Sequence, residues 1–448
     1  MTETPTITVG ELVDNGEADL QTGPFGTQLK ASDYSEEGTP VINVRNIGYG
    51  SIRDGDLEYV GEDMLHKLRK HRLAEGDIVF GRKGAVDRHA LIDDTSNGWV
   101  QGSDCLRLRL SSDRVVTEYV SYYLLTAGHR DWMEAMCSFG ATMSSLNQGI
   151  VRRISFPLPP KDVQLKVAAV LAAYDDLIEN NTRRIALLER MAEQLYREWF
   201  VRMRFPGHED AEFEKGIPVG WDIVKVADAF DYTGGGTPSK KVGRYWEDGD
   251  VNWFTPSDIT ASKGLLLAES GTQCTREGFE KSSAKLFPPY SVMMTSRATI
   301  GAIGINTTPA CTNQGFITCV PNDRYPLPYL YHWLKLNKTF FESLSGGATF
   351  PELNKGTFKK IEILTPPTDL MERFEAVALP LFQQMELLLS QLAKLVETRD
   401  LLLPRLISGT LSVEDLDIQL PPSMKDSEAE DAARDEPTTA DQAELSHA

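Results

Sequence analysis

The sequence lacks the segments that place a chain in a membrane or direct it to secretion. No stretch approaches about eighteen uncharged apolar residues, and the start, MTETPTITVGEL, has no basic segment followed by an apolar run. Cysteine is scarce, no C-x-x-C pair occurs, and the five residues are Cys105, Cys137, Cys274, Cys311 and Cys319. An odd, unpatterned set of cysteines favours a reducing compartment. We therefore expect a cytoplasmic protein, and 448 residues allow two to four domains.

Positive charge is also in short supply. The chain has 46 Lys and Arg against 65 Asp and Glu, for a net charge of −19. Residues 420–448 contribute eight acidic and two basic residues, and we predict that 413–448 form an acidic, disordered tail. The remaining body is still acidic, so bulk attraction to nucleic acid is excluded. A DNA-binding surface would have to be local, or a more basic partner would have to help it.

The sequence shows no constellation of catalytic or metal-binding residues. The segment LFPPY at 286–290 resembles a methyltransferase loop, but Phe287 replaces the polar residue that must accept from the target amine. The segment GGGTPSKK at 234–241 lacks the second glycine of a phosphate-binding loop, although its Thr, Ser and Lys side chains could grip a phosphate backbone. The seven histidines are scattered, and no nucleophile-elbow motif occurs. We predict a non-catalytic binding protein without a metal site.

An internal repeat is the most informative feature that is present. Residues 140–160, GATMSSLNQGIVRRISFPLPP, recur as 347–367, GATFPELNKGTFKKIEILTPP, at an offset of 207. Nine positions are identical, which are Gly140, Ala141, Thr142, Leu146, Asn147, Gly149, Ile154, Pro159 and Pro160 in the first copy. The chain is therefore a duplication, and each half is a globular segment followed by a long helical pattern.

Both long helical patterns carry an apolar seam with alternating steps of four and three residues. Its main positions are Leu171, Ile178, Asn181, Ile185, Leu188 and Leu195 in the first helix, and Leu381, Met385, Leu388, Leu392, Leu395 and Leu402 in the second. Each seam needs a partner, and the other copy is the nearest candidate; the alternative is burial in a larger helical core. Asn181 either sets the register or marks where the helices splay. We expect the second long helix to begin at Pro380 and to close near Pro404.

The order of apolar runs, turns and helical patterns divides the chain into six segments. The predicted fold class is α+β, with two similar heads. Residues 1–157 form the first head, 158–203 the first long helix, 204–218 a linker, 219–365 the second head, 366–412 the second helix region and 413–448 the tail. Within the heads we predict helices over 117–136 and 326–341, and we align Val251–Phe254 with Val41–Val44, and 291–294 with 77–80.

Several motifs in these segments resemble the specificity (S) subunit of type I restriction-modification systems, over residues 5–415. They are the G-x-T-P opening (Gly236, Thr237, Pro238), an arginine after a strand (Arg82, Arg297), Asn313-Gln314-Gly315, the G-A-T…L-N loops, the Pro-rich stops before each helix, and RDLLLPRLISGTL at 399–411. The resemblance implies that each head is a target recognition domain reading one half of a split DNA site. It implies that the helices pair as an antiparallel coiled coil that sets the spacing.

The same resemblance implies the partners and cofactors. The chain would bind double-stranded DNA and dock two methyltransferase (M) subunits, which two restriction (R) subunits join. S-adenosylmethionine, ATP and Mg²⁺ would be held by the partners and none by this chain. The first head departs from the pattern, because it opens with TGPFGTQL at 22–29 and shows Gln101-Gly102 without a preceding Asn. Its DNA-facing loops are therefore expected to differ from those of the second head.

Candidate DNA contacts follow from residue chemistry, since Arg, Lys, Ser and Thr bind phosphates, while Arg or Lys reads guanine and Asn or Gln reads adenine. In the first head they are Thr27, Gln28, Lys30, Arg45, Asn46, Arg82, Lys83, Thr142, Ser144 and Asn147. In the second head they are Thr237, Ser239, Lys240, Lys241, Tyr245, Trp246, Ser257, Arg297, Thr299, Thr349 and Asn354. Arg82 and Arg297 rank first, and the asparagines rank lower because Asn often only holds a turn.

Two functions of different classes remain open at this point. The first is the S subunit, a non-catalytic reader of a bipartite DNA target that directs its partners. The second is a freestanding two-headed DNA-binding regulator or scaffold derived from an S subunit. Dependence of specific DNA binding on M separates the two.

Overall fold

The computed structural model has an α+β fold built from two compact units. The structure describes residues 4–138, 145–262, 264–346, 351–421 and 424. One unit comprises residues 1–177 and 395–448, and the other comprises residues 178–394. Each unit therefore holds one head together with one end of each long helix.

The first head opens and closes on the same short ladder. Its strands are β1 (Thr6–Thr8), β2 (Ala18–Thr22), β3 (Tyr34–Ser35), β4 (Thr39–Ile42), β5 (Tyr49–Gly50), β6 (Glu58–Val60), β7 (Ile78–Gly81), β8 (His89–Leu91), β9 (Val100–Gln101), β10 (Cys105–Leu110) and β11 (Ser155–Pro157). Its helices are α1 (Val9–Asp14), α2 (Glu62–Lys67), α3 (Thr117–Leu125), α4 (Ala127–Ser138) and α5 (Gln148–Val151). Strands β1 and β11 pair antiparallel, so both ends of the head leave from one place.

Two mixed sheets form the body of the first head. A five-stranded sheet has the order β2-β10-β7-β8-β5, and a four-stranded sheet has the order β3-β6-β4-β9. All four residues of β7 are buried, as a continuous apolar run in a central strand predicts. The helix predicted over 117–136 is instead two helices, because Thr126 adopts an extended backbone between α3 and α4.

The second head repeats this plan. The linker before it carries β12 (Phe213–Glu214) and β13 (Ile217–Pro218). The strands of the second head are β14 (Asp222–Lys225), β15 (Tyr232–Gly234), β16 (Val251–Phe254), β17 (Leu266–Leu267), β18 (Gln273–Cys274), β19 (Val292–Thr295), β20 (Ile303–Asn306), β21 (Ala310–Thr312), β22 (Phe316–Cys319) and β23 (Glu362–Thr365). The first long helix, α6 (Lys161–Tyr196), comes before the second head in the chain. The helices within the second head are α7 (Val226–Ala229), α8 (Pro256–Ala261), α9 (Arg276–Glu280), α10 (Leu327–Leu336), α11 (Lys338–Ser343) and α12 (Lys355–Phe358).

The five-stranded sheets of the two heads follow the same strand order, and the smaller sheet of the second head repeats that of the first without a described counterpart of β3. The five-stranded sheet is β15-β22-β19-β20-β17, the three-stranded sheet is β18-β16-β21, and β14 pairs with β23 as β1 does with β11. The edge strand is parallel in both large sheets, β5 to β8 and β17 to β20. The duplication seen in the repeated block therefore extends through both heads.

Hydrogen-bond register corrects two sequence alignments. The carbonyl of Ile42 accepts from the N–H of Gly102 as that of Phe254 accepts from Asn313, so β16 matches residues 39–42 and not 41–44. Gln101-Gly102 likewise matches Thr312-Asn313 and not the Gln-Gly of the Asn-Gln-Gly motif. The helix predicted over 326–341 is also two helices, separated at Asn337.

The second long helix is α13 (Thr368–Ile407), and it corrects the prediction of a new start at Pro380. The helix runs through this proline, whose side chain is exposed. The missing backbone donor costs about 3 kcal/mol, but apolar side chains on both sides of it, Ala378 and Phe382, are buried in the core of the unit. Tertiary packing therefore overrides the local preference. The first helix continues beyond Tyr196 into a π-helical turn over residues 197–201.

The two long helices run antiparallel within each unit, as predicted. In the first unit Leu171, near the start of α6, lies in one apolar cluster with Leu402 and Leu406, near the end of α13. In the second unit the end of α6 and the earlier part of α13 share a cluster that includes Ile185, Leu188, Leu195, Leu381 and Met385. Of the other seam positions, Asn181 and Leu388 are buried, and Ile178, Leu392 and Leu395 are half-buried. A register-setting role for Asn181 stays a prediction.

Polar contacts tie each head to the helices of its own unit. In the first, the Tyr122 hydroxyl donates to Asp175 over 2.8 Å, and Asp175 pairs with Arg399 at 2.8 Å. In the second, Lys335 binds Glu189 at 2.8 Å and Glu193 at 2.9 Å. Burial alone raises the pKa of Glu189, but the hydrogen bonds and charge of Lys335 outweigh it and leave this pKa lowered.

The segments predicted as linker and tail contain more structure than expected. Strands β12 and β13 form a hairpin within residues 204–218. The start of the predicted disordered tail packs on the first unit, where Val413 is buried in the apolar cluster and the Glu414 carbonyl accepts from Lys166 over 2.6 Å. Among the described residues, no helix is long and apolar enough to cross a membrane.

Candidate DNA-recognition surfaces

In each head a glycine at the end of the first sheet strand packs directly on a neighbouring loop. A Cβ atom on Gly23 would lie 2.0 Å from the Gly102 carbonyl oxygen, and one on Gly235 would lie 1.9 Å from that of Asn313. No side chain fits at either position. Since Gly102 and Asn313 are equivalent, Gly23 and Gly235 are equivalent too. Two residues further on, Phe25 of the first head stands where the second head has Thr237.

The opening loop of the first head is held at both ends and exposed in the middle. Pro24 and Leu29 are buried, whereas Phe25 is 63% exposed. The Gln28 N–H donates to the Phe25 carbonyl over 2.6 Å, and the Gln28 side-chain oxygen accepts from the Phe25 N–H over 3.2 Å. Gln28, a predicted DNA contact, thus closes the turn with its own oxygen. Thr27 and Lys30 are exposed beside it.

The basic residues that follow β7 and β19 match each other in the structure in a different register from the one the sequence alignment gave. Lys83 bridges to Ser145 as Arg297 bridges to Glu352. The carbonyl of Arg82 accepts from Leu146, and that of Ser296 accepts from Leu353. The structural counterpart of Arg297 is therefore Lys83, and that of Arg82 is Ser296. Treating Arg82 and Arg297 as a matched pair was wrong by one residue.

The matched basic positions are each neutralised by a carboxylate. Lys83 lies 3.0 Å from Asp104, and Arg297 lies 2.8 Å from Glu352. All four side chains are about half exposed, and such surface pairs contribute roughly 0–1 kcal/mol. A phosphate can therefore displace the carboxylate at little cost. These pairs leave both surfaces less basic than the sequence suggested.

Arg82 is different, because no described carboxylate pairs with it. Its guanidinium carbon lies 6.0 Å from the centroid of the Phe25 ring, and its Nε is 3.5 Å from the Leu146 carbonyl oxygen. The side chain is half-buried, with its charge available beside the exposed loop. The arrangement places a guanidinium with no carboxylate partner among the described residues next to an exposed aromatic ring.

The closing loops of the two heads are built alike. Asn147 accepts from the Ile150 N–H over 3.0 Å, and Asn354 accepts from the Thr357 N–H over 2.9 Å, so each caps a short helix. Gln148 follows Asn147 and donates to the Thr22 hydroxyl over 3.0 Å, which joins the closing loop to the opening one. The remaining predicted contacts here lie outside the described residues; they are Thr142, Ser144 and Thr349.

The other two predicted contacts of the first head serve the structure of a loop. Asn46 is buried, and its amide donates to the carbonyls of Arg53 and Gly55 over 3.1 and 3.0 Å. The structure therefore does not support a DNA contact for Asn46. Arg45 pairs with Glu58 at 3.0 Å and is half exposed.

In the second head the opening loop is tied down by polar and aromatic contacts. The Thr237 hydroxyl donates to Gln314 over 2.7 Å. Lys240 lies 5.9 Å from the centroid of Trp253, and the Trp246 indole donates to the Ser239 carbonyl over 3.2 Å. The remaining candidates sort by exposure: Lys241, Ser257 and Thr299 are exposed, and Tyr245 is half-buried.

Sequence reasoning missed Phe25, Gln148 and Gln314 as parts of these surfaces. Phe25 was not a candidate because the candidates were chosen for side chains that bind phosphates or read base edges through hydrogen bonds. The signal available was its flanking by Gly and Pro in a polar segment. Cys105, beneath the first surface, is excluded as a nucleophile because burial raises the pKa of its thiol to about 12.

Comparison with known proteins defines the class of protein to which this fold and these surfaces belong. The family model for the type I restriction modification DNA specificity domain matches residues 21–190 and again 218–371. The chain therefore belongs to the family of type I restriction-modification specificity subunits, with two such domains.

Individual relatives agree with this assignment. The MjaIX specificity subunit of Methanocaldococcus jannaschii is 35% identical over 163 residues, which cover 36% of this chain and 38% of that protein. The HindI specificity subunit of Haemophilus influenzae is 23% identical over 76% of this chain and 88% of its own length. The crystal structure of an S subunit from M. genitalium superposes with a TM-score of 0.60 over 90% of this chain and 96% of that one, at 16% identity. This last likeness concerns the fold.

Proposed function

We propose that this chain reads a bipartite DNA target for a type I restriction-modification complex, with each head recognising one part of the target. The main support for this proposal is that the two heads have the same sheet architecture but different residues at equivalent surface positions. The heads share their strand order, yet equivalent surface positions carry Phe25 against Thr237 and Arg82 against Ser296. Two half-sites of different sequence require this combination.

The charge of the chain suggests which subunits contact the DNA phosphates and which subunit reads the sequence. A net charge of −19 opposes tight binding to DNA through the phosphate backbone. We propose that two M subunits dock on the long helices and head edges and supply much of the phosphate contact. R subunits then join through M, and S-adenosylmethionine, ATP and Mg²⁺ bind to these partners. The chain itself supplies sequence recognition and no catalytic group.

The proposal is tested by methylation mapping. The chain is expressed with its M subunit in a methylation-free host, and N6-methyladenine is mapped by long-read sequencing, with M alone as the control. One split motif, with two short specified parts and a fixed gap, is the expected result. No methylation despite a stable complex with M contradicts the proposal. Tight specific binding by the isolated chain favours the freestanding regulator instead.

A further inference from the structure

The two heads differ most sharply at one point on their surfaces. Gly23 and Gly235 are equivalent by their close approach to Gly102 and Asn313, which sets Phe25 against Thr237. Strand register sets Arg82 against Ser296. These two differences lie 57 residues apart in the sequence, yet in the first head the two side chains meet, with the guanidinium carbon 6.0 Å from the ring centroid.

Phe25 is presented outward by a preorganised turn. Its neighbours Pro24 and Leu29 are buried, so the loop is anchored on both sides. Gln28 closes the tip through two hydrogen bonds to the Phe25 backbone, of 2.6 and 3.2 Å. The phenyl ring nevertheless stays 63% exposed. A rigid turn that exposes a large apolar side chain is suited to contact something outside the chain.

The charge beside the ring indicates an anionic partner. Lys83 and Arg297 are each paired with a carboxylate, whereas Arg82 has no carboxylate partner among the described residues. Proteins that bend DNA insert apolar side chains between base steps and bind adjacent phosphates or base edges with Arg. Aromatic rings also stack on exposed bases, with Arg adding to the contact. DNA offers both an apolar stack and negative charge at this spacing.

We propose that Phe25 and Arg82 together form a wedge specific to the first head: the Phe25 ring stacks at a base step of the first half-site, and Arg82 binds the adjacent phosphate or guanine edge. The wedge makes recognition of that half-site depend on how easily the step unstacks, which is a form of readout that hydrogen bonds do not supply. The second head uses Thr237 and Ser296 instead and has no wedge. This inference rests on the proposed function, since it requires a specific DNA target.

The test uses the full chain assembled with M and the target found by methylation mapping. Phe25→Ala is expected to weaken specific DNA binding about 10- to 100-fold, while Phe25→Trp keeps the wild-type affinity. Arg82→Ser, which installs the residue of the second head, is expected to weaken binding and lower its salt dependence by about one phosphate contact. Phe213→Ala is the matched control, because Phe213 is also exposed, at 46%, but lies in the hairpin before the second head.

A second readout separates stacking from mere contact. The fluorescent base 2-aminopurine is placed in turn at steps of each half-site, leaving out the methylated adenine, which a methyltransferase flips itself. We expect wild-type complex to raise the fluorescence at one step of the first half-site and Phe25→Ala to abolish the rise. Base-preference profiles should relax in the first half-site only.

Three results would overturn the wedge. Unchanged affinity and fluorescence in Phe25→Ala would show that the ring does not enter the stack. Equal relaxation of both half-sites would show a general effect. Weaker assembly with M, measured by light scattering, with unchanged DNA affinity per assembled complex would make Phe25 a protein contact. If wild-type complex has no split target at all, the proposed function fails before the variants are compared.

Discussion

The two heads have the same strand order and the same closing ladder, but they solve the problem of an exposed opening loop differently. In the second head, Thr237 is hydrogen-bonded to Gln314 and the loop is held by aromatic contacts. In the first head the loop is held through Gln28, and Phe25 projects from it. A duplicated scaffold therefore retains the elements that close the core while the surface residues diverge. Under the proposed function, specificity would depend on a few loop positions that rigid sheets hold in place.

The largest expected effect on the DNA target comes from replacing the whole second head. Exchanging residues 219–365 for the matching head of another S subunit should change one half of the target and leave the other half and the gap unchanged. The reason is that β14 and β23 pair at the ends of this head, so it forms a self-closed module. Methylation mapping measures the outcome, and exchange of the 204–218 linker alone is the control. Changes in both half-sites would show that the heads do not read independently.

The two long helices differ at one pair of equivalent positions, where only the second helix has a proline. Pro380 of α13 corresponds to Ala173 of α6 at the repeat offset of 207. Because Pro380 removes a helical hydrogen bond, Pro380→Ala should raise the free energy of unfolding of the second unit by about 1–3 kcal/mol. The reverse change, Ala173→Pro, should destabilise the first unit by about 3 kcal/mol or more. Denaturant unfolding monitored by circular dichroism checks both. If Pro380→Ala were destabilising, the proline would be shaping the helix for a packing reason.

A single buried histidine gives the smallest effect, and such residues compare the heads by pH. Burial lowers the pKa of His332 in the second head to about 4, and that of His89 and His129 in the first to about 3 and about 4. A histidine with a lowered folded-state pKa takes up its proton more readily when unfolded. Stability is therefore complete above pH 6.5 and is lost as the pH falls toward 4. For His332 the loss is on the order of 2 kcal/mol at pH 5.

Thermal unfolding between pH 7 and pH 4.5 tests this dependence. His332→Asn keeps a donor for the Pro328 carbonyl, which His332 contacts at 2.7 Å, but does not titrate. Its melting temperature should be lower at pH 7 and should fall less steeply on acidification. His66→Asn, at an exposed position, should leave the wild-type slope unchanged. An identical slope in His332→Asn would assign the acid sensitivity to other groups.

The repeated block and the order of apolar runs, turns and helical patterns predicted the duplication and the α+β class, because these depend on patterns that span many residues. The seams predicted only that each long helix needs a partner, and the antiparallel pairing followed from the family resemblance. The residue matching between heads was beyond the sequence. Loops of unequal length change the offset from strand to strand. Arg82 therefore aligned with Arg297 by identity, although the bridges Lys83–Ser145 and Arg297–Glu352 make Lys83 the counterpart of Arg297. Asn46 was a candidate by its chemistry alone, and only its burial shows that it holds a loop. Pro380 was read as a helix start because packing energies are not visible locally.

Because each long helix is divided between the two units, the two units cannot fold at the same stage of translation. The cluster that supports the first unit joins residues Leu165 and Leu171 to Leu406 and Val413, contacts that span more than two hundred residues of sequence. The second unit is complete once residue 394 has been made. The first unit, unlike the first head with its own core, therefore waits for residues after 394, and the early seam of α6 stays uncovered on the ribosome until then. Delayed closure of this kind leaves an apolar surface exposed to chaperones or to a partner subunit that arrives before translation ends.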